Sequence, residues 1–151
     1  MLRQGKRRPA QSAAAFKRAL ELREALYRIW SAVVQKKEPP SADIELLNET
    51  LSHSLGNQRL KKEQGRWALG WSDEMPLDFV LWPVAKSAAD LLVSEDASRV
   101  RICEMTQSDE CDWLFVDRSK NRAKRWCSME GCGNRAKARR YYERKKATSS
   151  G

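Results

Sequence analysis

Cys103-Glu104-Met105-Thr106-Gln107-Ser108-Asp109-Glu110-Cys111 and, after fifteen intervening residues, Cys127-Ser128-Met129-Glu130-Gly131-Cys132 hold every cysteine of this 151-residue chain. Two cysteine pairs divided by a longer stretch is the sequence form of a four-thiolate zinc site. Each pair can sit on its own turn, and the stretch between has room for a hairpin that brings the turns together. Two disulfides are the alternative, and simple buried cysteines a third reading. The clustering argues against the third. Four thiolates leave no open coordination position, so such a site is structural rather than catalytic. The segment from Cys103 to Lys146 has few apolar side chains and needs a staple of this kind to fold.

Charge follows the cysteines. Arg118 to Gly151 holds twelve Lys+Arg against two Asp+Glu, a net +10. Met1 to Asp117 holds 17 against 18, a net −1. A basic patch confined to a metal module points to a polyanionic partner. A charged run that is merely solvated is the plainer alternative. No apolar run is long enough to cross a bilayer. The basic N-terminus, Met1 to Phe16, has no apolar segment of the secretory kind. A cytoplasmic, reducing location follows as the expectation, and it favours metal over disulfides.

Working outward, the rest reads as mainly helical with small β elements. A flexible basic leader is expected over residues 1–11. A helix is expected from Ser12 to Lys37, with Leu22, Leu26, Ile29, Trp30 and Val33 as its apolar stripe and Pro39-Pro40 as its end. Ser41 is placed to cap a second helix, with Asp43 and Glu45 in its first turn and Ile44, Leu47 and Leu51 on its buried face. Gln58–Lys62 and Arg66–Trp71 flank Glu63-Gln64-Gly65 as a hairpin, and the alternation of Trp67, Leu69 and Trp71 predicts one apolar face. A third helix is expected from Pro76, with Leu77, Val80, Leu81, Val84, Ala88, Leu91 and Leu92 buried and a kink at Pro83. The three helices should share one core, closed by the hairpin. Trp113 to Val116 reads as a strand, and Gly133 to Lys146 as a helix. No internal repeat is visible.

The finger residues are recognisable. Cys111-Asp112-Trp113-Leu114-Phe115-Val116-Asp117, Arg118-Ser119-Lys120-Asn121, Arg125-Trp126-Cys127-Ser128-Met129 and Cys132-Gly133-Asn134-Arg135-Ala136-Lys137-Ala138-Arg139 closely resemble the CGNR zinc finger, named for the run found here at Cys132 to Arg135. Upstream, Leu22 to Arg28 and Leu81 to Leu92 resemble the ABATE domain that usually precedes that finger. The resemblance covers about residues 16 to 146. It implies a bacterial stress-induced transcription regulator, with an N-terminal sensing or interaction domain and a DNA-binding finger. Two departures stand out. The first cysteine pair is more widely spaced than usual, with Asp112 in place of the frequent Gly, which predicts an enlarged first knuckle. The family's segment ahead of the first long helix is represented only by the short basic leader, as in a truncated member.

The domain reading is a leader at 1–11, an ABATE-like helical domain at 12–98, a finger at 99–146 and a disordered tail at 147–151. One structural zinc ion is expected on Cys103, Cys111, Cys127 and Cys132. Double-stranded DNA is the expected partner. The contact candidates are Arg118, Lys120, Arg122, Lys124 and Arg125 on the loop and Arg135, Lys137, Arg139, Arg140 and Arg144 on the last helix. Arg135, Arg139 and Tyr142 share one helical face, while Lys137, Arg140 and Arg144 share its neighbour.

Arg23, Trp30, Trp67, Trp71 and Trp82 are candidates for a ligand pocket, with Arg28 or Arg66 as further anion holders; plain core packing is the alternative. Trp113 and Trp126 are expected to cover the metal. His53, the one histidine, has no motif and suits a helix-end or surface role. The helical domain would dimerise or sense a small-molecule effector. A protein-interaction adaptor with zinc as a mere staple is the runner-up. An enzyme has least support, since no phosphate loop, nucleophile–base pair or open metal site is visible.

Overall fold

Helix α1 spans Pro9–Val34, with its proline in the first turn, where the missing N–H costs nothing. The structure, a computed structural model, describes residues 8–71, 76–108 and 110–149. Residues 1–7 of the expected leader and 150–151 of the expected tail lie outside these. Pro9, Ala10 and Gln11 belong to α1, so the helix begins ahead of the expected Ser12. It also stops three residues before the expected Lys37. Lys36 turns into the left-handed region at φ 56°. Its N–H bonds the Val33 carbonyl, and the Lys37 N–H bonds that of Ala32. That pair of bonds is a Schellman turn, which ends the helix before Pro39 and Pro40 are reached.

Helix α2 spans Ser41–Gly56. Ser41 makes no side-chain cap; the Pro40 carbonyl receives the first N–H groups, those of Asp43 and Ile44. Asp43 is buried and has another task. Arg28 on α1 donates Nε to its Oδ2 at 2.8 Å and Nη2 to its Oδ1 at 2.6 Å, a two-point clamp between the helices. The guanidinium holds the Asp43 carboxyl below its ordinary range against the opposing effect of burial. The clamp is therefore intact at neutral pH and lost only as pH falls through that lowered value.

Strands β1 (Gln58–Glu63) and β2 (Arg66–Trp71) pair antiparallel, Glu63 opposite Arg66. The turn is two residues, not three: Gln64 at φ 50° and Gly65 at φ 81°, the primed geometry whose twist suits a hairpin. The expected role of this hairpin needs correction. Its apolar face does not close the core: Leu60, Trp67 and Leu69 are 69%, 71% and 66% exposed. Only Trp71 reaches inward, its ring centroid 6.4 Å from that of Trp82.

The third helix also differs from expectation. Leu77–Leu81 is a 3-10 turn, and α3 runs Trp82–Leu92. Pro83 thus falls in the first turn of α3, so a change of helix type replaces the expected kink. The Phe79 carbonyl, which Pro83 cannot serve, accepts the Trp82 N–H instead. The tighter 3-10 winding shifts the phase of the stripe. Trp82, Ala85 and Ala88 are buried, while Val80 and Val84 are exposed. The shared helical core is present: Leu22, Ile29, Leu47, Ala85 and Ala88 pack together, backed by Leu26, Ile44, Leu81 and Leu92.

The chain divides into two compact units after Ser94. In the second, a 3-10 turn at Glu95–Arg99 leads to β3 (Val100–Ile102), which pairs antiparallel with β4 (Leu114–Val116). Helix α4 runs Asn134–Ser149, continuing past the expected end at Lys146.

Candidate metal centre

The two cysteine knuckles are built by short turns, one between β3 and β4 in the chain and one after β4. Cys103 follows β3, and its N–H donates to the Trp113 carbonyl at 2.9 Å, fixing it to the strand pair. The wide gap to Cys111 is filled by a 3-10 turn at Glu104–Ser108, with Met105 buried beneath. The Thr106 hydroxyl donates back to the Cys111 carbonyl and closes this enlarged knuckle. In the second knuckle Ser128 accepts the Gly131 N–H on its side chain, and its carbonyl accepts that of Gly133. The wide π-type turn Met129–Gly133 then passes into α4.

The four sulfurs of Cys103, Cys111, Cys127 and Cys132 lie within 4.8 Å of one another. Cys111 to Cys127 is 3.8 Å and Cys127 to Cys132 is 3.5 Å. A zinc–sulfur bond of about 2.3 Å in a tetrahedron places sulfurs about 3.8 Å apart, so the cradle has the right size for zinc. Cys103 and Cys132 are buried, and Met105, Phe115, Trp126 and Ala136 pack around the cluster. Among the thiols themselves, burial and the neighbouring sulfurs push Cys127 up to about 12. Burial also opposes ionisation of Cys132, but hydrogen bonds from Cys127, Cys111 and Arg135 outweigh it and bring it down to about 7.

Trp126 packs against the thiols as expected, with the guanidiniums of Arg125 and Arg140 over its ring. Trp113 is mostly exposed and lies outside β4, at the wall of the cleft that Cys111, Cys127 and Cys132 line.

Residues 99–145 match the model of the CGNR zinc finger. Residues 2–95 match the ABATE model, described as "Putative stress-induced transcription regulator". That second match alone spans more than half of the chain. The chain belongs to the ABATE family. No curated protein matches it. Neither family description names an enzymatic activity.

The geometry gives each letter of the CGNR run a task. Cys132 supplies a sulfur. Gly133 is buried where a Cβ would stand 2.7 Å from Met129 Sδ and 3.4 Å from the Trp126 ring. Asn134 donates from Nδ2 to the Glu130 carbonyl at 3.3 Å, tying α4 to the turn. Arg135 donates from Nη2 to Cys132 Sγ at 3.3 Å.

Sequence reasoning did not anticipate Asp117, the fully buried carboxylate that builds the basic loop. It accepts from Ser119 N at 2.9 Å, Ser119 Oγ at 2.6 Å and Lys124 N at 3.0 Å. The hydroxyl of Ser119 leads the effects that hold this carboxyl below its ordinary range, so the loop stays pinned at neutral pH. The signal was available: Asp two residues before Ser is the pattern of a side-chain-closed turn.

The expected DNA contacts divide into two groups. Arg118, Lys120, Arg122 and Lys137 are exposed, and their side chains make no hydrogen bond or ion pair with the described residues. Others are engaged. Arg125 donates to Glu104 at 2.6 Å, Lys124 lies 5.2 Å over the Phe115 ring, and Arg140 reaches the Ala136 carbonyl. Arg135 and Arg139 both pair with Glu110. Lys137, Arg140 and Arg144 line one surface cleft with Glu143.

Among the ligand-pocket candidates, Trp30 and Trp82 are buried, Trp67 is exposed, and Arg23 is exposed and paired with Glu24. A cavity of about 350 Å³ in the helical unit shares only Trp82 with them; Arg18, Glu49, His53 and Asp78 are among its other walls. No helix among the described residues is long and apolar enough to cross a membrane.

Proposed function

We propose that this chain is a DNA-binding transcription regulator whose finger is held by one structural zinc ion on Cys103, Cys111, Cys127 and Cys132. When bound, the ion supplies the cross-link that the segment's sparse apolar content does not. The observation that carries the DNA reading is the net +10 from Arg118 to Gly151, displayed on a module with a defined shape. The pinned loop offers Arg118, Lys120 and Arg122 to phosphates, and α4 offers Lys137, Arg139, Arg140 and Arg144 along its exposed length. Phosphate contacts provide most of the affinity and position the helix; arginines that reach base edges would add sequence preference. The helical unit serves dimerisation or effector sensing.

Selection from a random duplex library, followed by binding at several salt concentrations, tests this. Binding should weaken steeply with salt. Arg118→Ala with Lys120→Ala and Arg122→Ala should flatten the log–log salt slope by about 0.9 for each phosphate the variant no longer neutralises. Salt-independent or absent duplex binding by zinc-loaded protein would sink the reading. The adaptor alternative draws on the exposed Leu60, Trp67 and Leu69 face, which suits a protein partner. Partner capture that survives nuclease treatment, without duplex binding, would favour it.

A further inference from the structure

We propose that Arg135 is a positioning residue of the metal centre: it donates to the Cys132 sulfur, and Glu110 beside Cys111 holds it there. This rests on the four-thiolate zinc reading above. A zinc dication on four thiolates carries a net −2, and Cys103 and Cys132 are almost wholly buried. Residual negative charge in such surroundings is stabilised by a cationic hydrogen-bond donor. Arg135 meets that need, with Nη2 at 3.3 Å from Cys132 Sγ. Spacing makes the contact local. Cys132 and Arg135 are three apart across the start of α4, so the side chain folds back over the turn.

Glu110 gives Arg135 its orientation. Its Oε2 lies 3.9 Å from Arg135 Nη1, and its Oε1 pairs with Arg139. Glu110 precedes the cysteine of the first knuckle, and both arginines stand on the helix that follows the second. One guanidinium therefore touches a sulfur of one knuckle and the carboxylate next to the other. Glu110, Cys111, Cys127, Cys132 and Arg135 line a common cleft over the thiols. Arginine is the residue suited to this double duty, because its planar fork presents separate donors to two acceptors.

The test measures zinc affinity by competition with a chromophoric chelator, on the full chain, for wild type, Arg135→Ala, Arg135→Lys, Arg139→Ala and Glu110→Gln. Loss of an outer-shell partner typically weakens metal binding by about 10–100-fold, and Arg135→Ala should fall in that range. Arg135→Lys, which keeps the charge but not the fork, should recover part of the loss. Glu110→Gln should fall between wild type and Arg135→Ala, and Arg139→Ala should stay within about twofold of wild type, since Arg139 does not reach a sulfur.

Cobalt(II) substitution adds a readout that plain destabilisation would not move. Losing the N–H···S bond raises the energy of the sulfur lone pairs, so the sulfur-to-cobalt charge-transfer band of Arg135→Lys and Arg135→Ala should shift to longer wavelength. Should Arg135→Ala fail to fold, the lysine variant carries both measurements. Zinc affinity within twofold of wild type and an unmoved cobalt band in the arginine variants would overturn the proposal while leaving the zinc reading intact. Wild-type protein that binds no zinc would overturn both.

Discussion

The two units hold themselves together by different physics. The helical unit has an apolar core in which Leu22, Ile29, Leu47, Ala85 and Ala88 exclude water, with the Arg28–Asp43 clamp between α1 and α2. The finger has almost none of this. Its buried cluster is Cys103, Met105 and Cys132, and its order comes from short-range polar contacts: Asp117 in its loop, Ser128 in its turn, Asn134 at the start of α4. A unit of the first kind folds on burial alone. One of the second kind is complete only with the cross-link that its thiols invite. The charge is distributed the same way, since a segment freed from building an apolar core can give its positions to Lys and Arg.

The sharpest way to break that comparison is to remove the cross-link. Cys132→Ser should abolish zinc binding and unfold the finger, with α4 losing its helix. Structural zinc contributes about 10–16 kcal/mol of apparent binding free energy in small finger peptides, far more than the finger's polar contacts supply. The helical unit should keep its helix signal and its own unfolding transition. Circular dichroism, zinc content and limited proteolysis, read together, decide it. A variant whose α4 resists proteolysis without metal would show that the finger does not depend on its thiols.

The reciprocal perturbation is smaller. Ile29 is fully buried at the centre of the helical core. Ile29→Ala should cost about 2–5 kcal/mol through lost transfer energy and the cavity left behind. Denaturant unfolding followed on the helical transition measures it. Zinc affinity should be unchanged, because no cysteine belongs to that core. A fall in zinc affinity would mean that the two units are energetically linked and that the contrast between them is overstated.

The finger was the more legible unit in the sequence, although it is the less regular one. Cysteine spacing is a discrete code: four cysteines at fixed offsets identify the cradle whatever the turns between them do. The helical unit is encoded by periodicity, and periodicity fails where winding changes. Val80 and Val84 fit a 3.6-residue stripe, but the 3-10 turn at Leu77–Leu81 rotates them outward and brings Trp82 and Ala85 in. Pro83 reads as a mid-helix kink only if the preceding turn is taken for the same helix. Ser41 has the chemistry of a cap but stands one residue late, after a proline whose carbonyl does the work. The side-chain tasks in the finger are hidden for another reason. Glu110 meets Arg135 and Arg139 across 25 and 29 residues of chain, a distance over which no local pattern operates. Arg135 and Arg139 do share one helical face, but a shared face does not say what that face meets.

The smallest effect tests the hairpin, where apolar pattern and burial also part company. Trp67 alternates with Leu69 and Trp71 as a core-facing strand should, yet it stands opposite Lys62 and is mostly exposed. Its burial in the monomer therefore contributes little. Trp67→Thr keeps a β-favouring residue in the strand and should shift stability by less than about 0.5 kcal/mol, the range for exposed positions away from special features. Trp82, ring neighbour of Trp71 and Phe79 and almost wholly buried, is the internal control. Trp82→Ala should cost about 3–5 kcal/mol. Equilibrium unfolding of both variants at low protein concentration separates the two cases. A cost for Trp67→Thr close to that for Trp82→Ala would show that the hairpin face is covered in solution. The concentration dependence would then say by what: a loss that grows with dilution of the wild type points to a second copy, and one that does not points to a cover within the chain.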